Sequence, residues 1–74
     1  MTVADSNEPV AGNIKRVISE KGLKNLSVAE KAGYAPSQLS SMLRGRKMIK
    51  PSDIVRIAKV LGIPEGELFK KGDD

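Results

Sequence analysis

The feature that most constrains this chain is a pair of short helical patterns, separated by a tight turn, within residues 28–45. Gly33 can adopt the left-handed backbone conformation that ends a helix. Pro36 has a fixed φ and no N–H, which suits the first turn of a following helix. Because so few residues separate the two helices, they must cross at a steep angle.

Apolar residues at helical spacing predict further helices around this pair. Ile14, Val17 and Ile18 recur at i, i+3 and i+4 and form one apolar stripe. We expect Ser52 to cap the fourth helix, and either Asn25 or Ser27 to cap the second. The predicted helices cover about residues 10–21, 26–32, 36–44, 52–61 and 64–69.

The predicted fold class is all-α, a compact five-helix bundle around one aliphatic core. Residues 1–8 are polar and lack periodicity, so we expect a disordered N-terminal tail. Residues 9–70 form the predicted domain, and residues 71–74 are expected to be a frayed C-terminus.

The composition argues against catalysis. The chain has no cysteine and no histidine, which removes the commonest thiolate and imidazole metal ligands and the commonest general base. It also lacks a glycine-rich phosphate loop. We therefore predict no enzyme activity, no metal and no cofactor. No apolar run approaches the length of a membrane span and the N-terminus lacks a signal sequence, so we expect a cytoplasmic protein in a bacterium or a phage-infected cell.

The net charge of +4 is unevenly distributed. Six lysines and arginines lie between residues 24 and 50, against one acidic residue, Glu30. A basic segment is the electrostatic signature of a polyanionic partner. On charge alone, a surface that only interacts with water explains the pattern equally well.

The third predicted helix carries the candidate chemistry. The helical pair has the layout of a helix-turn-helix, whose second helix enters the major groove of DNA. Leu39 and Met42 must face the core, so Ser37, Gln38 and Ser41 project outward. A glutamine can pair with adenine through two hydrogen bonds, and serine can donate to or accept from several base edges.

An ordered set of landmarks resembles a known family, the Cro/C1-type (Xre-like) helix-turn-helix domain of lambdoid phage repressors. The resemblance spans about residues 14–69 and implies a lambda-repressor-like bundle in a transcriptional regulator that binds its operator as a dimer. The landmarks are Leu23, Val28, Ala29, Gly33, Leu39, Gly45, Pro51, Ser52, Ile57, Ala58, Leu61, Gly62 and Leu68.

The resemblance also implies which residues contact DNA. The family's base-contacting positions fall on Pro36, Ser37, Gln38, Ser40 and Ser41. Groups on either side of that helix are expected to bind phosphates, including the N–H groups at the start of the second predicted helix. For Tyr34 in the turn, two roles remain open: it either contacts a phosphate or covers the edge of the core. The predicted phosphate contacts are Asn25, Tyr34, Arg44, Arg46, Lys47 and Lys50.

The chain departs from the family at two places. Lys24 and Asn25 replace a polar pair whose glutamine helps to bind a phosphate, and asparagine is one methylene shorter. Ile18 and Leu43 stand where many members have a buried arginine–glutamate pair. Replacing a buried ion pair by packed apolar groups is often neutral or stabilising, whereas loss of one partner is costly. This paired change therefore agrees with the fold.

The predicted function is sequence-specific binding of double-stranded DNA by a small regulator, most simply a repressor. The alternative is an antitoxin or anti-repressor module that binds a partner protein. Serine and glutamine on the exposed helix face favour DNA, because protein interfaces are enriched in aromatic and large apolar side chains. Ile63, Leu68 and Phe69 either close the core or form a homodimer surface on the fourth and fifth predicted helices. Met48 and Ile49 are expected to pack beneath the fourth predicted helix, and contact with a DNA groove is the alternative.

Overall fold

The computed structural model describes residues 2–71 of the chain, and every regular element in that range is helical. A cis peptide bond between Glu8 and Pro9 joins the first helix to the second. The predicted all-α bundle is confirmed. The elements are α1 (Val3–Asn7), α2 (Val10–Glu20), α3 (Asn25–Ala32), α4 (Pro36–Leu43), α5 (Pro51–Leu61) and a 3₁₀ helix (Glu65–Phe69).

The core is aliphatic and receives side chains from every helix after α1. The stripe of Ile14, Val17 and Ile18 on α2 is buried, and Leu39 and Met42 of α4 are each 1% exposed. The helical period thus correctly identified the inward faces. Ile18 and Leu43 are both buried, so the two positions where the family often has an ion pair both hold apolar side chains in the core.

The turn between α3 and α4 has the geometry expected from the sequence. Gly33 has a φ of 83° and ends α3, and its N–H and that of Tyr34 donate to carbonyls in the last turn. Pro36 is the first residue of α4. Only residues 33–35 separate the helices, and α3 packs against both α4 and α5. This packing fixes the position of α4 relative to α3.

The N-terminal segment differs from the predicted disordered tail. Residues 3–7 form α1, which begins with reciprocal hydrogen bonds between Thr2 and Asp5. The Asn7 side chain is buried and bonded to the main chain of a distant loop. Disorder was predicted because residues 1–8 lack apolar periodicity. That criterion does not detect a segment that is held in place by polar groups. At the other end, Lys71 has no regular structure, and residues 72–74 of the predicted frayed terminus lie outside the described range.

The predicted caps of two helices were wrong, and the last predicted helix is of a different type. Lys50, not Ser52, precedes α5, and its N–H donates to Asp53 Oδ2 at 2.9 Å. Pro51 therefore occupies the first helical position, where a main-chain N–H would have no partner within the helix, so the absence of an N–H on proline costs no hydrogen bond. The residue before α3 is Lys24, with no side-chain cap, so neither Asn25 nor Ser27 caps that helix. The predicted fifth helix is the 3₁₀ helix.

Candidate nucleic-acid interface

The exposed face of α4 is polar. Pro36, Ser37 and Gln38 are exposed, whereas Ser40 and Ser41 are partly buried. Leu39, Met42 and Leu43 occupy the opposite, buried face of the helix. The first turn of α4 therefore presents the most accessible of the predicted base-contacting side chains.

Gln38 has a local structural role besides its predicted contact with a base. Its Oε1 accepts a hydrogen bond from the Ala35 N–H at 2.9 Å, which satisfies a main-chain donor just before α4. An amide oxygen has two lone pairs, and the Nε2 group keeps its donors. Gln38 can therefore hold this bond and still present both a donor and an acceptor to a base.

The segment after α4 is folded back onto the helix and carries the densest positive charge. We call residues 44–50 the basic loop. The Ser41 carbonyl accepts hydrogen bonds from the N–H groups of Arg46 and Lys47. Arg44, Arg46, Lys47 and Lys50 are all exposed. Within residues 2–71 the ion pairs are Arg16–Glu20 and Lys70–Glu67, so none of these four cations forms an ion pair there.

The apolar residues of the basic loop have different environments. Ile49 is buried at 8% exposure, as expected, whereas Met48 is 51% exposed. The prediction that both pack beneath the following helix was therefore right for Ile49 and wrong for Met48. The loop is ordered around one buried anchor.

At the start of α3, Asn25 is exposed as the first helical residue. No side chain caps this terminus. The positive end of the helix dipole is therefore not neutralised by a side-chain acceptor, which is the arrangement that suits a bound anion. The phosphate contact at Asn25 remains a prediction.

Tyr34 links the turn to α5 and covers the core edge. Its hydroxyl donates to Asp53 Oδ1 at 2.6 Å, and its ring packs against the core. Arg56 lies over the ring, 5.3 Å from the centroid. The one hydroxyl proton is engaged by Asp53, so a donated bond to a phosphate would require breaking that contact.

The acid–base properties of this cluster follow from its contacts. Burial, together with the bond to Asp53 and its negative charge, raises the pKa of Tyr34 to about 12. Burial alone raises the pKa of Asp53, but the bonds from Tyr34 and the Lys50 N–H and the charges of Lys50 and Arg56 outweigh it. The pKa of Asp53 is therefore lowered. The cluster is a neutral phenol bonded to a carboxylate.

Three residues near the candidate interface were not predicted from the sequence. Asp53 had a detectable signal, since an acid three residues after Lys50 can bond back to its N–H. Asn7 and Arg56 had no detectable sequence signal, because their partners lie far away in the sequence. No helix within residues 2–71 has the length and apolar character needed to cross a bilayer.

Comparisons with known proteins agree with the helix-turn-helix fold. Residues 14–68 match a family model described as "Helix-turn-helix". An uncharacterized HTH-type transcriptional regulator, y4dJ of Sinorhizobium fredii, is 31% identical over 70 residues, or 95% of this chain and 91% of that protein. The crystal structure of the restriction-modification controller protein C.AhdI from Aeromonas hydrophila matches with a TM-score of 0.76 and 25% identity. That match covers 81% of this chain and 91% of the other.

Proposed function

Since this chain belongs to the helix-turn-helix family of the Cro/C1 type, we propose that it is a transcriptional regulator that binds double-stranded DNA sequence-specifically. In this proposal α4 lies in the major groove and the first-turn residues Ser37 and Gln38 contact base edges. Pro36, Ser40 and Ser41 complete the base-contacting set. The basic loop and the start of α3 bind phosphates on either side.

One observation carries the proposal: the polar exposed face of α4 adjoins four exposed cations that form no ion pair in the described structure. A phosphate backbone neutralises such charges and releases its own counterions, which makes binding favourable. The exposed part of α4 offers no aromatic or large aliphatic side chain. This composition favours DNA over a partner protein, the antitoxin or anti-repressor alternative.

We further propose repression and a homodimer. Occupation of an operator is enough to exclude other proteins from the same DNA, so repression needs no additional contact surface. A single helix contacts few base pairs, and two copies related by a dyad contact two half-sites. α5 and the 3₁₀ helix pack against each other, and Val55 and Phe69 on them are 48% and 54% exposed. These apolar side chains supply the proposed dimer surface. The proposed regulator acts in the cytoplasm, and it has no catalytic role and no cofactor.

Selection from a pool of random duplexes tests this function. We expect enrichment of a pseudo-palindrome whose half-sites lie about one helical turn apart. Enrichment of no sequence, together with weak binding to all duplexes, would favour the partner-protein alternative.

A further inference from the structure

The most completely buried polar side chain in the described structure, Asn7, lies in the segment that precedes the helix-turn-helix. Asn7 is 1% exposed. Its Nδ2 donates to the Met42 carbonyl at 3.0 Å and to the Lys47 carbonyl at 2.8 Å. Its Oδ1 accepts from the Ile49 N–H at 2.8 Å. One side chain thus joins α1 to the end of α4 and to the basic loop.

These bonds determine the shape of the loop. The Lys47 carbonyl and the Ile49 N–H flank Met48, so the amide holds the main chain on both sides of that residue. Ile49 is thereby held in the core while Met48 stays 51% exposed. Lys47 carries one of the bonded groups, and Lys50 directly follows the other. The positions of two proposed phosphate-binding residues therefore depend on Asn7.

A second contact joins α1 to the same loop. Gly45 has a φ of 78°, and a Cβ built on it would lie 2.6 Å from Ala4 Cβ and 2.7 Å from Ala4 Cα. α1 therefore packs directly on the turn that follows α4. The N-terminal segment contacts the basic loop through both main-chain packing and the buried amide.

We propose that Asn7 is a positioning residue for DNA binding: it holds the basic loop in the conformation that contacts the phosphate backbone. This inference rests on the proposed function and adds a role for the N-terminal segment, which lies outside the residues that match the family. A loop ordered before binding loses little conformational freedom when it meets DNA. Without Asn7, that ordering would accompany binding and weaken it.

The structure offers a matched control in Asn13. This asparagine is also buried, at 8% exposure, and its Nδ2 donates to the Leu68 and Lys70 carbonyls at 2.7 Å each. Asn13→Ala removes a buried amide from the C-terminal end of the bundle, whereas Asn7→Ala removes one from the basic loop. Both variants leave main-chain groups without their partners, which destabilises each fold. Only Asn7→Ala is expected to alter DNA binding.

The test measures the affinity of the full chain for a duplex that carries one half-site, so that dimerisation does not enter. Asn7→Ala is expected to weaken binding about tenfold, the size expected when a few side chains must be ordered on binding. Selected and random duplexes should be affected alike, and the salt dependence should fall by about one charge. Asn13→Ala should leave both quantities unchanged. Equal loss in the two variants would show a general stability effect and overturn the proposal.

Hydrogen exchange of the Ile49 amide in the free protein gives a second readout. Asn7→Ala should speed this exchange relative to core amides of α5, and Asn13→Ala should not. If Asn7→Ala does not fold, the same measurements are made on Asn7→Ser, which retains a hydroxyl at the site. Unchanged Ile49 exchange would overturn the positioning role even if the wild type binds DNA. A wild type that binds no duplex would overturn the proposed function, while the exchange result would still decide whether Asn7 holds the loop.

Discussion

At the scale of single residues, Gln38 combines a structural bond with the proposed base contact. Gln38→Ala removes both, whereas Gln38→Glu keeps an acceptor for the Ala35 N–H and loses the donor that adenine N7 requires. We expect either change to reduce binding to the preferred duplex by about 1–3 kcal/mol and to relax base choice at one position per half-site.

Thermal melts separate the two roles. Gln38→Ala should lower the free energy of unfolding by about 1 kcal/mol through the lost bond, and Gln38→Glu should retain most of it. Equal weakening on preferred and random duplexes would instead assign Gln38 to backbone contact. Unchanged affinity in both variants would favour a protein partner.

Tyr34 gives a direct spectroscopic test of its bond to Asp53. It is the only tyrosine and the chain has no tryptophan, so ultraviolet absorption of the phenolate reports this residue alone. The midpoint should lie near its pKa of about 12 in the native protein. In Asp53→Ala it should fall toward the ordinary value near 10. A native midpoint near 10 would contradict the hydrogen-bonded phenol–carboxylate pair.

The Asp53 carboxylate should also make stability depend on pH. Its pKa is lowered in the folded state, so its contribution is present above the unfolded-state pKa of about 4. That contribution is lost as the pH falls through the lower folded-state pKa. The free energy of unfolding of the wild type should therefore drop below about pH 4, and this drop should be smaller in Asp53→Asn.

At the scale of elements, the basic loop should determine affinity without determining sequence choice. Replacing Arg46 and Lys47 by alanine should weaken binding to all duplexes similarly and reduce the slope of log K against log salt by about one to two charges. Lys15→Ala with Lys21→Ala is the matched control, because these exposed lysines lie on and just after α2 and are not among the proposed DNA contacts. Equal slope changes in the two double variants would show only a general charge effect.

The elements also show what the sequence could predict. α2, α4 and α5 were placed because their buried residues follow the helical period, as with Ile14, Val17 and Ile18. The cap of α5 was misplaced because serine is the better side-chain cap, and the bond from Lys50 to Asp53 was not considered. α1 was missed because it is anchored by Asn7, whose partners lie 35 to 42 residues away. No local pattern encodes such a contact.

The candidate site likewise has features that the sequence could predict and features that it could not. The outward position of Ser37 and Gln38 follows from the inward phase of Leu39 and Met42, so it was predictable. The bond between Gln38 and Ala35 and the pairing of Tyr34 with Asp53 depend on rotamers and tertiary packing. They became visible only in three dimensions.

At the scale of the whole molecule, the proposed dimer makes a testable prediction. Phe69→Ser should shift the chain toward monomer in sedimentation equilibrium, because it removes an apolar side chain that is 54% exposed on the 3₁₀ helix. Leu26→Ser is the control, since Leu26 is 53% exposed but lies on α3. A wild type that stays monomeric, or an equal effect of both changes, would argue against this surface.

Sequence-specific DNA binding is the central claim, and one measurement tests it most directly. The equilibrium affinity of the wild type is compared between its selected duplex and a duplex of identical length and composition with scrambled half-sites, at one salt concentration. A specific regulator should prefer the selected duplex by about 10³-fold or more. Equal affinity for the two duplexes would mean that the chain binds the phosphate backbone alone, and it would contradict base reading by α4.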